Sequence, residues 1–290
     1  MKNFLSYLVT RISLMALLGL CSSSFLAAQD TEMQEDAPDH RAIRPPFESI
    51  WLIDNQTSVV PTHKTFQFDI MHRFGLVENG LEDLYGLYAP SNIRLGFSYV
   101  PIENIAVGFG FTKNRKPVDF SIKYAALQQT RSNKIPVSVT YFGSALADTR
   151  DGSLFFNSSD RYSFFHQVII SRKFTHRLSI QVAPSVTHFN LIEESMEHDH
   201  IAAAVGGRFR VSPQSSVIFN YDQPITQHDR NNPNPNISFG LEVSTSSHAF
   251  QVFLGNYSSL NPQYNNVFNQ NNYEDGEFLI GFNITRRWNF

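Results

Sequence analysis

Gly276-Glu277-Phe278-Leu279-Ile280-Gly281-Phe282-Asn283-Ile284-Thr285-Arg286-Arg287-Trp288-Asn289-Phe290 is the stretch that decides the fold. Every second residue from Phe278 to Phe290 is apolar, apart from Arg286. Between them stand Leu279, Gly281, Asn283, Thr285, Arg287 and Asn289, mostly small or polar. A period of two is the signature of a strand with one greasy face and one wet face. A greasy face this aromatic, on a strand at the end of the chain, is what the closing strand of a transmembrane β-barrel needs.

Working outward, the same period recurs upstream. Thr65–Phe74 sets Phe66, Phe68, Ile70, His72 and Phe74 against Gln67, Asp69, Met71 and Arg73. Further strands are predicted over 91–99, 104–112, 117–126, 135–142, 161–172, 177–189, 201–211, 216–221, 237–244 and 248–256. The strand over 161–172 is mixed, with Phe165 and Ile169 among its polar set. Pro184 cannot donate to a ladder, so a bulge or irregular end is expected there. This gives about twelve strands, most near the length that crosses a bilayer at a tilt.

The connections supply a second signal. Those around 100–103, 173–176, 212–215 and 245–247 are tight. Those at 75–90, 143–160, 190–200, 222–236 and 257–275 are long and polar. Short turns alternating with long loops is the pattern of outer-membrane barrels. It places both chain ends in the periplasm and makes the strand count even. A soluble β-sandwich also alternates along its strands, but it explains neither the near-constant strand length nor the alternating loops. The expected class is therefore all-β, an antiparallel up-and-down barrel over residues 62–290 in a Gram-negative outer membrane.

Residues 1–28 read as a secretory signal, with Lys2 and Arg11 ahead of an apolar run and small residues up to Ala28. The one cysteine, Cys21, follows Leu20, whereas a lipoprotein signal needs a small residue there. Loss of Lys2 and Arg11 with the leader takes the formal net charge from −3 to −5. No basic stripe suggests nucleic acid. Residues 29–61 form a lead-in, acidic at first. Within it Trp51–Val60 is apolar but bracketed by Pro45, Pro46 and Pro61, and reads as an extra strand or as a segment lying in or under the barrel.

Five short runs carry a family resemblance: His72-Arg73-Phe74-Gly75, Ser91-Asn92-Ile93-Arg94-Leu95-Gly96, Ile170-Ser171-Arg172-Lys173-Phe174, Gly206-Gly207-Arg208-Phe209 and Gly281-Phe282-Asn283-Ile284-Thr285-Arg286. Together they resemble a β-barrel family of unknown function typical of Bacteroidota outer membranes, over most of the chain from about Pro46. The resemblance implies an outer-membrane barrel and brings no catalytic or ligand residue. Arg287-Trp288-Asn289-Phe290 runs slightly past the family's expected end. The terminal aromatic resembles the signal read by the barrel-assembly machinery, so Trp288 and Phe290 are candidates for membrane assembly. Arg286 can snorkel to headgroups near Trp288.

With the apolar face on lipid, the charged residues of the other face point inward. They are Asp69, Arg73, Arg94, Asp119, Lys123, Arg208, Arg210, Glu242 and Arg287. Read functionally, they line a channel or transporter for small polar or anionic solutes. Read structurally, they are an ion-paired network filling a non-conducting barrel, since barrels of this size lie between filled and open ones. An outer-membrane hydrolase would need a nucleophile and base near the rim. His166, His188, Ser171 and Ser185 are available for that, with no spacing that singles out a pair. Glu193, Glu194, Glu197, His198, Asp199 and His200 have metal-ligand chemistry without ligand spacing, so no metal is assigned. There is no phosphate-cradling glycine loop, CxxC pair or haem attachment signal, and no cofactor is expected. The asparagine-rich stretches 227–236 and 261–272 read as mobile polar loops. The partners implied are outer-membrane lipid, the barrel-assembly machinery and a small polar solute.

Overall fold

Alternation along the chain turns into a closed sheet in the computed structural model, which describes residues 39–290. The signal segment and the first part of the lead-in lie outside the described residues. A small hairpin, β1 (Trp51–Leu52) and β2 (Asn55–Gln56), precedes the barrel. The barrel strands are β3 (Thr65–Leu76), β4 (Asn92–Ile102), β5 (Ile105–Thr112), β6 (Pro117–Leu127), β7 (Ser138–Asp148) and β8 (Tyr162–Lys173). They continue as β9 (Leu178–Phe189), β10 (Asp199–Arg210), β11 (Ser215–Pro224), β12 (Asn236–Ser244), β13 (His248–Gly255) and β14 (Leu279–Asn289). Each pairs antiparallel with the next, and β14 closes on β3 with Phe282 opposite His72 and Thr285 opposite Asp69. Closure leaves no strand edge unpaired, the condition for a sheet to stand in hydrocarbon.

The burial pattern is inside out. Phe109, Phe120, Ile122, Phe209, Phe219, Phe239, Leu241 and Val252 are all exposed, while Gln67, Asp69, Arg73 and Asn283 on the alternate positions are buried. The exposed side chains form the lipid-facing belt. Phe165 and Ile169 face inward with Phe142, Ala183 and Ala204, which explains why β8 reads as mixed.

Several boundaries differ from the sequence reading. The closing strand starts at Leu279, because Gly276 turns the chain with φ of 80° after a short 3-10 turn over Tyr273–Asp275. β7 begins later and runs on to Asp148, taking up part of what reads as a loop. β11 is longer than predicted, ending at Pro224. Pro184 causes no bulge. Its pairing with Ala203 of β10 is regular, and the register to β8 is the same on either side of it. The β8–β9 ladder simply skips the positions opposite Val168 and Ile169. Short turns and long loops largely segregate to opposite ends, but 113–116 is a tight turn at the long-loop end and 128–137 a longer one at the short-turn end.

The lumen is filled from both ends. Residues 39–46 enter beside the 128–137 turn, where Ile43 N donates to Gln129 O and Asp39 pairs with Arg131. Beyond them the β1–β2 hairpin lies inside the barrel, and Ile53 at its tip has no exposed surface. From the long-loop end the β13–β14 connection folds down through a short helix of about two turns, α1 (Pro262–Phe268). Its Gln263, Tyr264, Asn265, Asn266 and Val267 are buried. The stretch 261–272 is thus largely packed against the wall instead of standing out as a polar loop, since closure gives its amides a polar surface to bond.

Candidate functional site

Gly206 shows how the wall makes room for the inner segment. A side chain there would come within 2.5 Å of Leu52 Cδ2, so the glycine lets the hairpin lie against β10. Gly96 and Gly110 do the same for Arg94, whose guanidinium occupies the space their side chains would take. That guanidinium is bidentate to Asp119, with Nε at 3.0 Å and Nη2 at 2.6 Å, and the pair is buried. It also lies 5.6 Å from the centre of the Trp51 ring. Trp51 Nε1 donates to Asp69 Oδ2 at 3.2 Å, and Asp69 accepts further bonds from Gln67 and Thr285.

The hairpin is bonded to the wall nearly all round. Gln251 of β13 donates to Trp51 O at 2.8 Å and accepts from Ile53 N at 3.2 Å. Asn283 of β14 donates to Ile53 O. Asn55 donates to Asp222 at 2.7 Å and accepts from Gln167 at 3.1 Å. Gln181 donates to Gln56 O at 2.9 Å, and Lys123 Nζ to Gln56 Oε1 at 3.0 Å. Ser58 meets Ser171, and Thr140 donates to Ser58 O at 3.0 Å. An apolar cluster lies among these polar contacts. Phe47, Ile50, Trp51, Leu52, Ile53 and Val59 pack with inward-facing Met71, Ile218 and Phe253, and with Tyr257 and Leu260 of the descending connection.

Asp54 is where the two inner segments meet. It accepts from Tyr257 OH at 2.7 Å, from Asn265 Nδ2 at 3.2 Å and from Asn220 Nδ2 at 3.5 Å. No cation is within ion-pair distance of it among the described residues, and burial pushes its carboxyl above the ordinary 3.8. At the short-turn end Glu48 is the anionic anchor. It pairs with Arg210, with Arg208 at 3.5 Å and with Arg44 at 3.1 Å, and Arg208 also reaches Glu242 at 3.2 Å. Partial burial would raise the Glu48 carboxyl, but the charges of Arg208, Arg44 and Arg210 hold it below the ordinary 4.5.

The charged residues predicted for the inner face thus fall into separate groups. Arg94 with Asp119, and Arg208 and Arg210 with the acids Glu242 and Glu48, form ion pairs. Asp69 and Lys123 bond neutral side chains. Arg73 is buried under Phe253, 4.5 Å from the ring centre, with no acceptor for Nε or Nη2. Arg287 is half-buried on the inward face, opposite Gln67. Trp288 packs against Phe66 with Arg286 stacked over it at 4.8 Å, and Phe290 is exposed.

The candidate enzyme residues do not come together. Ser171 bonds Ser58, Ser185 donates to Ala202 O, His166 bonds Tyr141, and His188 bonds Asp199. The acidic, histidine-bearing run also disperses. His198 bonds Phe189 O and His200 packs edge-on to His228, and no group of three metal-type ligands forms among the described residues. Sequence reasoning missed Glu48, Asp54, Tyr257 and α1. The helix had a usable signal in Asn261-Pro262, a cap-type residue before proline at the first helical position.

Cavities open at both ends of the lumen. A cavity of about 310 Å³ opens near Pro46, Val59 and Gln129 at the short-turn end. Cavities of about 410 and 330 Å³ open at the long-loop end. Beside Trp51, two smaller spaces hold about 30 and 20 Å³.

Over residues 47–288 the sequence matches the family described as a membrane bound beta barrel domain (DUF5777). The chain belongs to that family. The family match begins at Phe47, so it takes in the inner hairpin as well as the barrel. No curated protein sequence matches the chain. Among solved structures, the KdgM porin in complex with disordered oligogalacturonate is similar at a TM-score of 0.46 and 7% identity, over 78% of this chain and 99% of that one. The NanC porin gives 0.48 and 9%, over 78% and 100%. The COG4313 outer membrane channel from Pseudomonas putida F1 gives 0.47 and 12%, over 79% and 97%. No residue role is carried over from any of them.

Proposed function

We propose that this DUF5777 barrel is an outer-membrane channel for small polar or anionic solutes, held shut by its own N-terminal segment. One observation carries the reading. The inner wall is built of side chains whose natural partner is water, and several are poorly partnered while the segment is in place. Lys123 has one amide oxygen, and Arg94, which lies against Trp51, has Nη1 without an acceptor. Burying such groups is costly, and withdrawal of the segment would rehydrate them. In this reading both chain ends and the short turns lie in the periplasm, the long loops face outside, and Trp288 and Phe290 serve assembly by the insertion machinery.

A second reading, a permanently filled and non-conducting barrel, is favoured by the apolar cluster around Trp51 and Ile53. Solute-driven swelling of proteoliposomes separates the two. The channel reading expects little swelling with the full chain, and swelling once residues 44–60 are deleted, faster with glucuronate than with glucosamine. A folded deletion variant that stays impermeable would leave the filled barrel.

A further inference from the structure

The long-loop end carries a concentration of positive charge that the sealed lumen does not use. The cavity of about 410 Å³ there is lined by Arg73, Lys113, Arg115, Lys116 and Arg150, and by no carboxylate. The adjoining cavity of about 330 Å³ shares Arg115 and Arg150 with it but is also lined by Asp148, Asp160 and Glu193, so the acid-free part is the larger cavity. Only Arg150 is neutralised, by Asp148 at 2.7 Å. Lys113 Nζ reaches the Ser91 carbonyl at 3.0 Å, and neither Lys113, Arg115, Lys116 nor Arg73 has an acid within ion-pair distance among the described residues.

Arg115 is held in place by rings. Its guanidinium lies 5.1 Å from the centre of Tyr264 and 5.6 Å from that of Phe268, both on α1. Tyr264 is also a side-chain hydrogen-bond partner of Arg115; an arginine held by rings and a phenol keeps its full charge for another partner, whereas an ion-paired one has had it neutralised. The backbone points the same way. Arg115 and Lys116 both adopt left-handed conformations, with φ of 59° and 51°. The turn between β5 and β6 would be less strained with Asn and Gly there. Two adjacent basic residues in strained positions, at the lip of an acid-free cavity, are the kind of outlier that marks a binding site.

We propose that this cleft binds a ligand bearing phosphate or carboxylate groups, with Lys113, Arg115 and Lys116 as its main contacts and the α1 aromatics positioning Arg115. Such oxyanions accept paired N–H bonds from a guanidinium. The site stands whether or not the barrel conducts. A free solute and a lipid headgroup share this chemistry, so the test has an arm for each.

The full chain in neutral detergent is titrated with inorganic pyrophosphate by calorimetry. Separately, it is mixed with nanodiscs containing lipid A or only zwitterionic lipid. The variant is Lys113→Gln, Arg115→Gln and Lys116→Gln together. The control is Lys134→Gln with Arg177→Gln, exposed cations elsewhere on the molecule. Folding is checked for each by the mobility of the unheated protein on gels. Saturable pyrophosphate binding weakened about tenfold or more in the triple variant, and unchanged in the control, supports the site and assigns it to a soluble anion. Selective lipid A capture with the same variant dependence supports it and assigns it to a headgroup. Binding of neither ligand, or equal weakening in the control, overturns it.

Discussion

Replacing Trp51 with alanine should release the inner segment without touching the lipid face. Trp51 is buried in the apolar cluster, and truncating a buried tryptophan costs about 3–5 kcal/mol. The change also removes the indole donor to Asp69 and the ring against Arg94. Asp69 keeps its bonds from Gln67 and Thr285, so the lost hydrogen bond falls at the low end of about 1–3 kcal/mol. The terms overlap, and a total near 5 kcal/mol is a fair figure. That shifts the docked-to-undocked ratio by between three and four decades, at about 1.4 kcal/mol per decade. The reporter is Ile53→Cys at the fully buried hairpin tip, in a background with Cys21 replaced by serine. Its reaction with a water-soluble maleimide should be slow in the parent and at least about a hundredfold faster with Trp51→Ala. Trp51→Phe keeps most of the packing and should fall between them. If Trp51→Ala folds and labels no faster than the parent, the segment is not held by the contacts described here.

Gly206→Val should act from the wall side, since even a methyl there meets Leu52; faster labelling of Ile53→Cys is expected, and an unchanged rate would mean the segment repacks. Arg94→Gln or Asp119→Asn alone should lower stability by about 3–5 kcal/mol through an unpaired buried charge. The double variant should recover much of that loss in thermal unfolding followed by gel mobility. Docking should also depend on pH through Asp54. Its carboxyl is raised in the docked state, so its contribution is full below the ordinary 3.8 and is lost as pH rises. Glu48 has the opposite sign, because its lowered carboxyl supports docking above the ordinary 4.5 and stops doing so in acid. Ile53→Cys labelling, normalised to an exposed cysteine, should therefore carry a component that rises as pH increases from the ordinary 3.8, and Asp54→Asn should remove that component. A slope unaffected by Asp54→Asn would assign the dependence elsewhere. Pro184→Val should restore the missing β8 contact and add about 0.5–1.5 kcal/mol; no gain in unfolding temperature would show that the gap has another cause.

The barrel was legible because lipid imposes one rule on every strand. Phe66, Phe68 and Ile70 alternate with Gln67, Asp69 and Met71 for the same reason that Ile280, Phe282 and Ile284 alternate with Gly281, Asn283 and Thr285. Local period is enough to read that rule. The inner face was legible only as a set of residue types. The acid that answers Arg210 is Glu48, distant in sequence and carried on a segment with no period of its own. The same limit hid Asp54, whose partners Tyr257 and Asn265 come from the opposite end of the barrel. Closure brings such groups together, and no local pattern encodes that. Glycines were the overlooked clue. Gly206, Gly96 and Gly110 read as small residues on a wet face, yet each marks a place where a large inward side chain lies against the wall.

The most direct test of the sealed lumen is single-channel recording in planar bilayers. The full chain should insert and stay electrically silent, and deletion of residues 44–60 should produce discrete steps, reduced in frequency when a peptide covering 44–60 is added from the short-turn side. Steady steps from the full chain, equal in size to those of the deletion variant, would contradict it.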